Sequence, residues 1–90
     1  SARLSADITN VNIYPNPTQS KVNINFVSNE VQDIVVKIVN PYGEQIFIDD
    51  KSSFIGEYTK YIDLKRYAKG VYILQIMTID TILSERIILQ

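Results

Sequence analysis

The sequence contains no cysteine, no histidine and no tryptophan. Without cysteine there is no disulfide framework and no thiolate metal site. Without histidine the commonest general base and the commonest metal ligand are both missing. Neither sign of charge prevails, since nine basic residues face ten acidic ones for a formal net charge of -1. That balance gives no electrostatic pull toward nucleic acid or anionic membranes. Long apolar runs are absent too, the longest being three or four residues, so nothing is expected to span a bilayer. Ser1 to Asp7 lack the apolar stretch of a secretory signal peptide.

What is present fits one small globular domain, with 46% hydrophobic and 21% charged residues in a chain of 90. Fifteen Ile, eight Val, six Tyr and three Phe dominate the apolar set. These residues suit a pleated surface, and the scarcity of Ala and Leu disfavours long helices. Residues 1–10 are small and polar without periodicity and read as a linker; residues 11–90 form the domain. Seven strands are expected: Val11–Tyr14, Lys21–Phe26, Asp33–Val39, Glu44–Asp49, Glu57–Asp63, Val71–Thr78 and Ile82–Leu89. Polar breaks at Ser28–Glu30 and Asp49–Ser53 separate them, and Asn40-Pro41-Tyr42-Gly43 supplies a hairpin turn. The expected architecture is all-β, a seven-stranded antiparallel immunoglobulin-like β-sandwich. Alternation assigns Ile13, Val22, Ile24, Phe26, Ile34, Val36, Ile38, Ile62, Leu64, Tyr72, Leu74 and Ile76 to its core.

Three segments stand out. Tyr14-Pro15-Asn16-Pro17-Thr18 closes the first strand with two prolines that cannot join a ladder. Leu64 to Tyr72, with Gly70 ending a tight turn two residues before Tyr72, has the form of a tyrosine corner. There the Tyr hydroxyl bonds upstream backbone, so Tyr72, Leu74 and Ile76 would face inward and Val71, Ile73, Gln75 and Met77 outward. Arg86-Ile87-Ile88-Leu89 is apolar on both faces, placing Ile87 inside and Ile88 outside. Catalytic constellations are missing: no Ser lies in a Gly-rich elbow, and Asp49-Asp50 lacks the carboxylate spacing of a calcium loop. Lys65, Arg66 and Lys69 read as a solvated basic turn rather than a phosphate grip. No enzyme activity, cofactor or metal is expected.

Taken in order, these segments resemble the C-terminal sorting domain of the type IX (Por) secretion system of certain Gram-negative bacteria. Tyr14, Pro15, Asn16, Pro17 and Thr18 are similar to its opening motif. Val36 to Ile46, with Gly43 in the turn, resembles the middle motif. Ile62-Asp63-Leu64, Gly70-Val71-Tyr72-Ile73-Leu74 and the terminal Arg86, Ile87, Ile88 and Leu89 resemble the closing motif. The likeness spans residues 11–90; it departs at Asn40, where the family more often has Asp, and at the uncharged Gln90.

The resemblance implies an address label on an upstream cargo rather than an enzyme. The cargo would pass through the periplasm, and the folded label would meet outer-membrane components of the secretion machinery. A sortase-like cysteine protease would then remove the label within residues 1–10 and join the cargo to surface lipopolysaccharide. Exposed edge strands offer docking points and would let two isolated copies form a domain-swapped homodimer. The alternative is a fibronectin-like or immunoglobulin-like accessory module for spacing, adhesion or carbohydrate contact. Lacking Trp, such a module would have to stack sugars on Tyr42, Tyr58 and Tyr61.

Overall fold

A computed structural model describes residues 8–90. Those residues form five strands and no helix: β1 (Ile8–Tyr14), β2 (Lys21–Val39), β3 (Gln45–Asp63), β4 (Gly70–Met77) and β5 (Ile82–Leu89). All strand pairs are antiparallel and belong to one hydrogen-bonded sheet. The all-β expectation holds, but the count of seven is corrected to five and two separate sheets are not found.

The correction has a local cause. Ser28–Glu30 and Asp49–Ser53 were expected to end strands, yet the backbone bulges there and pairing resumes. The β2–β3 register slips between Ser28 and Gln32 and again between Gln32 and Ile34, opposite Ser53 at φ 51° and Gly56 at φ 98°. Polar residues at these positions bend the hairpin rather than interrupt it. Ile8 to Asn10, placed in the lead-in by their polarity, form the start of β1, with Ile8 paired to Ser28.

β3 occupies one edge of β2 along its length. β1 and β4 divide the other edge, β1 taking Asn23–Ser28 and β4 taking Val35–Val39. The buried residues of β2 keep one parity through the bulges: Val22, Ile24, Phe26 and Ser28, then Ile34, Val36 and Ile38. Both halves of the strand therefore present the same face to a single core. Tyr72, Leu74 and Ile76 from β4 and Ile87 and Leu89 from β5 complete it. Ile13 and Ile62, expected inside, are only partly buried because they lie on the outer strands β1 and β3. Ile8 and Tyr58 join the core although alternation did not select them. Tyr58 stacks on Phe26 with ring centroids 4.6 Å apart and donates its hydroxyl to Asp49 Oδ2 at 2.7 Å. Burial, then the bond to Asp49, pushes its pKa above the ordinary tyrosine value.

Candidate functional site

The opening segment reaches across the fold to β5. Asn16 Nδ2 donates to the Arg86 carbonyl at 2.7 Å, and the Ile88 amide donates to Asn16 Oδ1 at 2.9 Å. One side-chain amide thus plays the part of a peptide group in a ladder. Two residues on, the backbone takes over: the Thr18 amide donates to the Ile88 carbonyl, and the Gln90 amide donates to the Thr18 carbonyl, each at 2.8 Å. Thr18 and Leu89 form a parallel bridge. The clip satisfies backbone groups on the open edge of β5, which an unpaired strand would leave exposed. Both prolines lie where no ladder donor is needed, and the Tyr14–Pro15 and Asn16–Pro17 bonds are cis.

Thr18 is nearly fully buried, and its own geometry turns the chain toward β2. Its hydroxyl donates to the Lys21 carbonyl at 2.5 Å and accepts from the Ser20 amide at 3.2 Å. The Ser20 carbonyl then accepts from the Leu64 amide at 2.7 Å, tying in the turn that leads to β4. Lys69 Nζ reaches the Gln90 carbonyl at 2.5 Å. Sequence reasoning singled out Thr18, missed Ser20, and read Lys69 only as part of a solvated basic turn; the run Thr18-Gln19-Ser20 before a strand was the available signal for a hydroxyl-capped turn.

The middle and closing segments meet beside this clip. Asn40 organises the hairpin turn, its Oδ1 accepting from the Tyr42 and Glu44 amides, both at 2.9 Å. Gly43 closes the turn at φ +86°, donating its amide to the Asn40 carbonyl at 2.9 Å. Pro41 packs on Gly70, so closely that a Cβ on Gly70 would stand 2.9 Å from the Pro41 ring. Gly70 also holds φ at +152°, which side chains with a Cβ rarely adopt. Gly70 pairs with Leu89, and Leu89 bridges to Thr18. Pro41, Gly70, Leu89 and Thr18 therefore follow one another across one end of the molecule, the motif end.

The tyrosine corner is present: the Tyr72 hydroxyl donates to the Ala68 carbonyl. Burial raises the Tyr72 pKa, with Tyr67 and Tyr42 adding to the shift. Tyr72, Ile87 and Leu89 are buried and serve the fold, whereas Val71 and Ile88 pair with each other on the outer face and are 42% and 37% exposed. Tyr14 is half exposed, its hydroxyl accepting from Asn25 Nδ2 at 3.0 Å. Of the three tyrosines considered for sugar stacking, Tyr58 is in the core and is excluded. Among the described residues no group of three or more acidic side chains is placed to hold a metal ion.

Comparison with protein families gives a match over residues 12–90 to the secretion system C-terminal sorting domain. The chain belongs to that family, the sorting signals of type IX secretion. No curated protein matches it. The family is one of signals rather than catalysts, and membership implies an attached cargo, contact with the secretion machinery and export to the cell surface or beyond.

Proposed function

We propose, taking that family membership as the premise, that the motif end is the surface by which the secretion machinery recognises the domain. The observation that supports this most is the clip: the opening segment is held on the closing strand across 70 and 72 residues of sequence. The three motif segments of an otherwise ordinary β-domain thus share one end. The domain acts as a ligand, carrying its cargo through the periplasm to outer-membrane components of the system. A sortase-like cysteine protease then removes it, and the cargo is joined to surface lipopolysaccharide. Cleavage is placed before Ile8, outside the described residues, because Ile8 to Tyr14 are committed to β1 beside β2. We read the single sheet, in which both halves of β2 face one core, as the counterpart of an immunoglobulin-like sandwich.

The test attaches the domain behind a fluorescent periplasmic reporter in a host with the system. Export that requires the domain supports the reading, and a reporter retained in the periplasm refutes it. The exposed side of β5 is read by a pair of variants. Ile88→Lys, on the outer face, leaves the domain folded and blocks export; Ile87→Lys, in the core, lowers stability first. A folded, normally exported Ile88→Lys variant removes the outer face of β5 from the recognition surface. Mass spectrometry of the released domain locates the cut, and a new N-terminus inside the sheet contradicts the proposed position.

A further inference from the structure

Resting on that reading, we infer that the motif end docks on an acidic protein surface. Lys21, Lys65, Arg66, Lys69 and Arg86 all lie on the segments that meet there, leaving three of the eight basic and seven of the nine acidic residues among the described ones elsewhere. Only two carboxylates belong to the same segments, and both are engaged locally. Asp63 Oδ1 accepts from the Lys65 amide at 2.9 Å, and Glu44 Oε1 accepts from Asn40 Nδ2 at 2.8 Å. Lys65 and Arg66 are exposed on the turn. A nearly neutral molecule is thus polarised, with its cations gathered where its motifs meet. Such a field steers encounter and sets orientation more than it adds affinity.

The chemistry of the neighbouring side chains distinguishes a protein from a lipid surface. Tyr42 is 85% exposed on the adjoining turn, and Tyr67 on the basic turn is 36% exposed. Rigid tyrosines beside an arginine are the composition of protein interface anchors. An anionic bilayer instead selects broadly basic surfaces, whereas this chain carries a net charge of -1. The Arg86 carbonyl, the Ile88 amide and carbonyl and the Gln90 amide are used by the clip, so recognition at this end is through side chains.

The experiment compares Arg66→Glu with Lys51→Glu, which makes the same charge change on the bulged part of β3, away from the motif end. Both are placed behind the exported reporter, and folding is checked by urea titration. Arg66→Glu should reduce export about fivefold or more and Arg66→Gln less, while Lys51→Glu exports normally, as expected for a charge at an interface rim. Normal export of a folded Arg66→Glu protein overturns the inference. Should that variant unfold, Arg66→Gln is decisive, and unchanged export overturns the inference equally. Binding of the wild-type domain, lost in Arg66→Glu, to vesicles of phosphatidylethanolamine and phosphatidylglycerol would make the partner a lipid surface and overturn it as well. If the wild-type fusion is not exported at all, the sorting role fails and the inference falls with it; export of wild type and charge variant alike removes the acidic partner alone.

Discussion

Replacing Asn16 by Ala is expected to destabilise the domain by about 1–2 kcal/mol. The side chain makes two hydrogen bonds of good length to β5, at 2.7 and 2.9 Å. Each contributes about 0.5–1.5 kcal/mol net, and the freed Arg86 carbonyl and Ile88 amide regain water because both bonds lie at the surface, which favours the lower half of the sum. Asn16→Asp separates hydrogen bonding from shape. The carboxylate can still accept from the Ile88 amide, but it sets a charged oxygen against the Arg86 carbonyl where an N–H donor stood. Its ionised form is disfavoured in the fold, so its folded pKa lies above the unfolded value of about 3.9. The defect is therefore full above the folded pKa and is relieved as pH falls toward the unfolded one, where the protonated acid can donate. Urea titrations of the three proteins at neutral pH and near pH 4, referenced to wild type at each pH, measure this. A loss below about 0.5 kcal/mol for Asn16→Ala, the range of ordinary surface substitutions, would refute the clip as an energetic feature. An Asn16→Asp defect independent of pH would refute the assigned donor and acceptor.

Leu74→Ala empties a fully buried site and is expected to cost about 2–5 kcal/mol in denaturant titration, with a loss under about 0.5 kcal/mol contradicting the inward face of β4. Gly70→Ala is expected to cost about 1–3 kcal/mol, since its φ of +152° is unfavourable for Ala and its Cβ would stand 2.9 Å from Pro41. Pairing it with Pro41→Ala in a double-mutant cycle should recover the contact part and leave the backbone part; a coupling of zero would show that Pro41 yields freely. Tyr58 and Tyr72 both have raised folded pKa values, so the unfolded chain loses these protons first. Stability is therefore fully present below about pH 10 and falls above it, with a limiting slope of about 1.4 kcal/mol per pH unit from Tyr58 and a further fall in the same direction from Tyr72. Tyr58→Phe should make that alkaline fall shallower, and an unchanged slope would refute the contribution of Tyr58.

The inward face of β2 was legible because Val22, Ile24, Phe26, Ile34, Val36 and Ile38 share one parity on both sides of the bulge. Between Ser28 and Gln32 the strand uses four residues against two of β3, an even excess that preserves parity, so it was the polar Ser28–Glu30 and not a change of phase that made one strand look like two. β3 shows the opposite case. Its inward residues are odd-numbered opposite the second half of β2, where Phe47 pairs with Ile38, and even-numbered opposite the first half, where Tyr58 pairs with Phe26. The flip occurs between Lys51 and Phe54, where β3 uses three residues against two of β2 and Ser53 adopts positive φ. Two half-strands of opposite phase defeat any single alternation, and an edge strand with Lys60 on its inward side weakens the contrast further. Lys60 is tolerated there because its ammonium lies 5.9 Å from the Phe47 ring centroid. The residues of the motif end were selected from the sequence as separate local features, a proline pair, a Gly turn and a tyrosine corner. Their contact was not legible, since nothing local to Asn16 indicates that its amide will serve residues 86 and 88.

That long separation bears on how a label of the proposed kind would work. A receptor that read a short linear motif would accept the chain folded or not. The motif end exists only when Thr18 and Leu89, from opposite ends of the described chain, have met across the core. Before that contact, the Pro-flanked segment and β5 are two unrelated peptides, and the basic turn has no fixed relation to either. Loss of core packing at Leu74, which shares β4 with Gly70, would therefore dissolve the surface without touching any residue on it. Under the sorting role this predicts one ordering. Core variants such as Leu74→Ala should lose export in proportion to the unfolded fraction measured by urea titration, whereas surface variants such as Arg66→Glu should lose export while fully folded. A core variant that is largely unfolded yet exported at the wild-type level would mean that the linear motifs suffice and that the assembled end is not what is read.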